Sequence, residues 1–379
     1  MTRSYLDHSS TSPLRPEARA ALVDALQSLG GDPGRIHEEG LAARHALEVA
    51  REQVADRFGA RGREVVFTSG ATEAIAAAVH GATERRASSS TAAAHHVVSA
   101  VEHSAVRADA TRAGTVTVVP VDDGGRVDPD AVLAAITPET VAVHLQWGNH
   151  EVGTVQPVAA VAAGCRDLDV LLHVDAAQAA GRVPITFADS GIDLLSISGH
   201  KLGGPAGTGA LLVRRGLRLP PLLLGGDQER ARRAGLEPVA ALVGLGAACL
   251  ALGDGALERE AEQAGRLTDR IRAVLDSVGG ITQHGDPCHR LPHLVCAGVE
   301  GVEPQGVLLG LDRAGIAAHS GSACSSESLE PSPVLEAMGV DAHHSLRLSV
   351  GWNTTDADVD RLATALPQVV SQLRSLATR

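Results

Sequence analysis

The stretch SISGHKLGGP, residues 196–205, holds Lys201, the only lysine among the 33 lysine and arginine residues of the chain. Ordinary surface charge and ion pairing are therefore met by arginine, whose guanidinium stays protonated and cannot attack a carbonyl. A lysine amine can, once burial or a neighbouring cation lowers its pKa. Lys201 is a candidate Schiff-base nucleophile, or else a residual surface lysine in an arginine-rich chain, and its neighbours must decide. A second reactive group is Cys324, in SGSACSSESLEPSPVL. That run of small residues has no apolar period and reads as an exposed, mobile loop. A thiol there, with the ordinary pKa near ~8.5, is about a few per cent thiolate at neutral pH. It is a candidate nucleophile, or an incidental loop cysteine. Cys165, Cys249 and Cys296 lie in apolar periodic stretches and read as core fillers.

Elements that alternate between strand and helix patterns position these groups. REVVFTSG, HHVVSAVEH, TVTVVPV, ETVAVHLQWGNHEVG, VLLHVDAAQ, IDLLSISGHK and GALLVRR read as strands. Helical patterns separate the earlier ones, as in ATEAIAAAVHGATERR, AVRADATRAG and VAAVAAGCRD. Such alternation implies an α/β fold with a doubly wound, mostly parallel sheet. RRASSSTAAAHH reads as an exposed loop. From Leu245 onward a long helical stretch is expected, followed by short strands and two helices in a second, smaller α+β domain. In an open parallel sheet, ligands bind at the carboxyl ends of the strands. His103, His150, Asp175 and the group Ser198, His200 and Lys201 all follow such ends, and Thr72 starts a helix. SGAT at that strand-to-helix junction is an anion site in form, with backbone N–H groups and a hydroxyl. A phosphate cup, a carboxylate for a ring nitrogen and a Schiff-base lysine are the requirements of pyridoxal 5'-phosphate.

Composition bounds the alternatives. A length of 379 residues allows two or three domain-sized units, and a 44% hydrophobic content supplies a core. Aromatics are only 2%, so Ala, Val and Leu must fill it. A net charge of −12 argues against nucleic acid or an anionic membrane as partner. No segment approaches the ~20 apolar residues of a membrane span, and MTRSYLDHSS carries no leader-like apolar run. Five cysteines, an odd number, suggest no disulfide framework. A cytoplasmic protein is expected. CHRLPHLVC brings Cys288, His289, His293 and Cys296 close in sequence, but in no common ligand spacing, and no metal is expected. GLGAAC lacks both the third glycine and the preceding strand of a dinucleotide fingerprint.

Taken together, HVDAAQ followed by SISGHKLGGPAGTGALLVRR resembles the core of the cysteine desulfurases, which are fold type I pyridoxal-phosphate enzymes. YLDHSSTSPLRPEA, FTSGATE, VEHSAV, NHEVGTVQP and SLRLSVG stand in the family's order, and SGSACSSESLEPSPVL resembles its active-site cysteine loop of the iron–sulfur-cluster type. The resemblance implies a large cofactor-binding domain over 14–258 and a small domain from 1–13 and 259–379. It implies that Lys201 carries the Schiff base and moves the substrate Cα proton. His103 stacks on the ring and acts in acid/base steps. Asp175 pairs with the ring nitrogen, and Gln178 approaches the ring oxygen. Ala71, Thr72, Ser198 and His200 hold the phosphate. Arg347 binds the substrate carboxylate, a task suited to its fork, and Cys324 is the nucleophile.

The chain also departs from the family's pattern. His150 stands where an asparagine usually contacts the ring hydroxyl oxygen. Leu236 replaces a threonine that reaches the phosphate from the partner subunit, and GDPGRIH carries Asp32 and Gly34 in place of an asparagine-serine version. The implied activity is conversion of L-cysteine to L-alanine by a homodimer, with a persulfide on Cys324 passed to a sulfur-acceptor protein. The alternatives are a pyridoxal-phosphate-dependent C–S lyase releasing pyruvate, or a non-enzymatic partner-binding protein on the same fold.

Overall fold

In a computed structural model the described residues are 3–87, 92–320 and 331–377. Cys324 lies outside them, as does part of the loop after Arg86. The elements, in chain order, begin with β1 (Ser4–Tyr5), α1 (Pro16–Ser28), α2 (Glu38–Arg57), β2 (Val65–Thr68) and α3 (Ala71–Ala87). There follow β3 (His95–Ser99), α4 (Ser104–Ala113), β4 (Thr115–Val119), α5 (Pro129–Ala134), β5 (Thr140–Gln146) and α6 (Val158–Asp167). Next come β6 (Leu171–Asp175), α7 (Phe187–Ser190), β7 (Leu194–Ser198), β8 (Gly209–Val213), α8 (Gln228–Ala231) and α9 (Val239–Leu250). The remainder is α10 (Ala256–Asp276), β9 (Ile281–His284), β10 (Leu294–Val299), α11 (Pro304–Arg313), β11 (Ile316–Ala317), α12 (Pro333–Ala337), β12 (Ser345–Ser349) and α13 (Asp356–Ala377).

Seven strands form one sheet in the order β2-β8-β7-β6-β5-β3-β4. Only β8 runs against its neighbours β7 and β2, so the sheet is mostly parallel. Every residue of β5, β6 and β7 is buried, which is why these strands read as continuous apolar runs rather than alternating ones. Leu172, Val174, Leu195, Ile197 and Leu212 of the sheet share a core with Val54 of α2 and Leu242 and Leu245 of α9. No helix among the described residues is long and apolar enough to cross a bilayer.

A second core gathers Leu267, Ile271 and Leu275 of α10, Val295 and Val299 of β10, Leu348 of β12 and Leu362 and Leu366 of α13. Leu6 joins it from the other end of the chain, because β1 pairs in parallel with β11 and Asp7 bridges to Ser349. The long helical stretch expected beyond Leu245 is in fact two helices. Asp254 and Gly255 adopt φ of 50° and 74°, a left-handed turn that ends one helix and starts the next. The LGDGA sequence there is a breaker signal that the helical period on either side obscures.

Candidate active site

The carboxyl ends of β5, β6 and β7 and the first turn of α3 enclose a cavity of about 510 Å³. Ala71, Thr72, His103, His150, Asp175, Gln178, Ser198, His200 and Lys201 all line it. The antiparallel β8 starts beside the same edge. A Cβ at Gly209 would lie 2.7 Å from Gly70 Cα and from Ile197 O, so only glycine lets β8 approach the loop before α3.

Lys201 stands in the short turn after β7. Burial first, then the Arg347 guanidinium, lowers its amine from 10.5 to about 8. Its Nζ donates to the backbone carbonyl of Ser9, which also accepts from Gln178 Nε2 at 2.8 Å. Asp175 ends β6 with its carboxylate buried. Burial raises its pKa, opposed by the Ala177 N–H and by the charges of His150 and Lys201. Its Oδ1 accepts from Ala177 N at 2.9 Å. His103 caps α4: its Nδ1 accepts from Ala105 N at 3.1 Å. Burial, then His150 and Lys201, bring it down to about 4, and His200 falls likewise to about 4 through burial and Lys201. The rings of His103 and His150 meet edge-on with centroids 5.1 Å apart. His150 Nε2 lies 3.5 Å from Glu151 Oε1, while its buried Nδ1 has no hydrogen-bond partner among the described residues.

Beneath the cavity floor lies a buried polar row. His173 and Asp175, His144 and Gln146, and Ser196 and Ser198 are two apart on their strands and so share a face of the sheet. His96 Nδ1 and His144 Nε2 are 3.0 Å apart, His144 Nδ1 and His173 Nδ1 are 3.0 Å apart, and His173 Nε2 is 2.8 Å from Ser196 Oγ. At the other end His96 Nε2 meets Thr83 Oγ1 at 3.1 Å.

The other expected residues fall differently. Arg347 on β12 is 2% exposed and does not line the cavity. Its Nη1 donates to His150 O at 2.9 Å, and its Nη2 to Ser10 Oγ at 2.7 Å and Asp7 Oδ1 at 3.1 Å. Leu236 is 63% exposed and also off the cavity. Cys165, Cys249 and Cys296 are buried thiols pushed up to about 12, as core fillers should be. Cys288 is exposed in the turn before β10, whereas His293 and Cys296 are fully buried and His289 bonds to Asp286.

Sequence reasoning missed two parts of the site. One is the 7–10 segment, whose contribution at Ser9 is a backbone carbonyl and leaves no side-chain signal. The other is Glu102, fully buried beside the cavity. It accepts from Gln146 N at 2.8 Å, and burial, with Asp175 nearby, holds its carboxyl well above the usual range. A glutamate next to His103 in VEHSAV was the available clue.

The arrangement fits pyridoxal phosphate on its own terms. The cavity holds an amine that is partly neutral near pH 8, a buried carboxylate for a ring nitrogen, and an unpartnered imidazole nitrogen for a ring oxygen. Beside α3 the backbone is open: a Cβ placed on Gly70 or Gly207 meets no atom within 4 Å, which leaves room for a phosphate against main-chain N–H groups.

Comparison with known proteins places this geometry. Residues 4–362 match the family model described as aminotransferase class-V. A cysteine desulfurase of Gluconacetobacter diazotrophicus is 40% identical over 386 residues, covering 99% of this chain and 95% of that one. One from Cereibacter sphaeroides is 41% identical over 389 residues, covering 99% and 98%. Among solved structures, a NifS-like protein superposes with a TM-score of 0.90 at 27% identity, covering 98% of this chain and all (100%) of that one. A protein solved as SspA in complex with cysteine gives 0.80 at 28% identity, covering 92% and 99%.

Proposed function

The chain belongs to the class-V aminotransferase family and, within it, to the cysteine desulfurases, and from that membership we propose how its own residues carry the reaction. The enzyme converts L-cysteine to L-alanine and transfers the sulfur. Its cofactor is pyridoxal phosphate, which when bound supplies an electron sink for the electrons left at the substrate Cα.

Lys201 would hold the cofactor aldehyde through its amine, and once freed by the substrate amine it would take the proton from the substrate Cα and return it. Asp175 would hold a proton on the ring nitrogen. Ala71, Thr72, Ser198 and His200 would receive the phosphate. His103 would face the ring, Gln178 and His150 would serve its phenolic oxygen, and Arg347 would receive the substrate carboxylate. Cys324 attacks the substrate sulfur. The Cys324 S–S bond forms as the substrate C–S bond breaks, and the carbon takes a proton. An enzyme thiol and L-cysteine thus give a persulfide and L-alanine, with sulfur oxidised and carbon reduced. A sulfur-acceptor protein then removes the persulfide sulfur.

The observation that carries this reading is the convergence of the sole lysine with Asp175, His103 and the start of α3 around one cavity. The two cores support a division into a large domain, 14–258, and a small one, 1–13 with 259–379. A homodimer would give a partner to Ile36 and Leu224, large apolar side chains left 93% and 82% exposed in the single chain. The four cysteines of the described residues are free thiols, which supports a cytoplasmic location.

The deciding experiment is product analysis with L-cysteine. Wild type should yield alanine, and trapping without reductant should add one sulfur to the Cys324 peptide. Cys324→Ser should lose both alanine and reductant-released sulfide, because a serine hydroxyl without an adjacent base is a poor nucleophile. Sulfide release at near wild-type rate with pyruvate as co-product would make the enzyme a C–S lyase instead.

A further inference from the structure

The first turn of α3 carries a carboxylate as well as the expected phosphate-holding groups. Glu73 follows Thr72 directly and lines the same cavity. An ionised side chain in that place opposes a phosphate dianion in a partly desolvated site, where like charges repel more strongly than in water. The structure neutralises it from a distant segment. Arg233 Nε donates to Glu73 Oε1 at 2.8 Å and Arg233 Nη2 to Glu73 Oε2 at 3.1 Å, a side-on bidentate pair. Both side chains are mostly buried, with 22% and 14% of their surface exposed, so the pair is not of the freely solvated kind. Glu73 Oε2 also accepts from Ser69 N at 2.9 Å and thereby ties down the Ser69–Gly70 corner of the cup.

Arg233 is itself held in place. It belongs to a segment anchored by Glu229, whose buried carboxylate accepts from Arg51 Nη1 at 2.6 Å, Arg51 Nη2 at 2.7 Å and Phe67 N at 2.8 Å. Glu229, Arg230 and Ala231 then turn left-handed, with φ of 48°, 59° and 60°. That turn leads the chain back toward α3. Burial pushes the Glu73 carboxyl up, but Arg233 and Ser69 more than reverse this and hold it below its ordinary value, so Glu73 is charged and needs its partner.

We propose that Arg233 is a positioning residue for the cofactor phosphate: by pairing with Glu73 it cancels the carboxylate in the first turn of α3, beside the expected phosphate-holding groups, and fixes the Ser69–Gly70 backbone that receives the phosphate. The inference rests on the reading of that cavity as the pyridoxal-phosphate site. It specifies an effect on the phosphate alone, since the pyridine ring is held by other residues.

The test uses cofactor-free protein titrated with pyridoxal phosphate and with pyridoxal, followed by equilibrium dialysis and by the absorbance of the Lys201 adduct. Wild type should prefer the phosphorylated form strongly. Arg233→Ala should weaken pyridoxal phosphate by at least about tenfold and leave pyridoxal unchanged. Adding Glu73→Gln to Arg233→Ala should restore most of the loss, because the uncompensated charge is then gone. Arg233→Lys should fall between, keeping charge without the bidentate fork. Equal weakening of both ligands, or no change in either, would overturn the proposal. A wild type that does not distinguish the two ligands would instead overturn the assignment of the cup.

Discussion

His103 Nδ1 accepts the Ala105 N–H at 3.1 Å, so the ring facing the cavity caps its own helix with one nitrogen and has only the other to offer. Because burial holds its pKa to about 4, the ring is neutral above about pH 5 and its proton sits on Nε2. We expect ¹⁵N spectra of selectively labelled protein to show a bare Nδ1 and a protonated Nε2 from pH 6 to 9. A doubly protonated His103 at neutral pH would contradict this. The acid/base role proposed for it would have to pass through Nε2 alone.

Lys201 gives a different pH signature. Its amine titrates near 8 in the folded protein against ~10.4 in the unfolded chain. Between those values the unfolded state binds more protons, so stability of the cofactor-free protein should rise with pH by up to about one proton's worth of slope. Lys201→Met should abolish that slope when urea midpoints are compared from pH 7.5 to 10. Borohydride reduction of the cofactor-loaded protein should tag the peptide holding Lys201 and no other, since no second lysine exists.

Glu102 should behave as a neutral acid. Its carboxyl is raised well above the ordinary range by burial and by Asp175. Glu102→Gln keeps the acceptor for Gln146 N, and with burial favouring the neutral acid stability should change by less than ~0.5 kcal/mol, since a matched polar replacement leaves no buried group unpaired. Glu102→Ala leaves that N–H unpaired in the interior and should cost about 1–3 kcal/mol. Denaturant unfolding of the two variants separates the cases. A loss in Glu102→Gln as large as in Glu102→Ala would contradict a neutral Glu102.

Leu236 has no donor for a phosphate oxygen. If a partner copy brings position 236 to the cup, Leu236→Thr adds one charge-assisted hydrogen bond, worth ~1.5–3 kcal/mol or about ten- to hundredfold in affinity. Cofactor loss on dialysis should slow accordingly. Identical loss from both proteins would show that nothing at position 236 reaches the phosphate.

The strands and the cavity edge were readable in the sequence because their signals are local. An apolar run such as VLLHV followed by Asp175, or LLSI followed by Ser198, marks both a buried parallel strand and the group at its end. What escaped depends on contacts between distant segments. The role of Ser9 is a carbonyl delivered by a strand pairing 312 residues apart, Ser4 with Ile316, and no side chain announces it. Arg347 carries a recognisable motif, yet only packing reveals that Asp7 and Ser10 already occupy part of its fork. The break at Asp254 was legible in principle, but helical periods on both sides masked it.

The row of histidines under the cavity can exist in one proton order only. Thr83 Oγ1 gives its hydrogen to Val79 O at 2.8 Å, so it must receive from His96 Nε2. The three rings are neutral, because burial brings His96 down to about 4, His144 well below its ordinary value and His173 to about 3. Each ring then has a single proton, and every choice follows from the first. His144 donates from Nε2 to His96, His173 donates from Nδ1 to His144, and Ser196 donates to His173. Such a row is a poor repeated conductor: a proton entering it must charge rings that burial keeps neutral, and each passage reverses the proton order, so every ring would have to turn over within a packed sheet before the next. Its members are also chemically interdependent. Replacing a single member by an apolar residue strands a buried donor or acceptor on its neighbour, whereas replacing all three together leaves only Thr83 and Ser196 to be satisfied, so the path by which these positions can change runs through the set and not through its members.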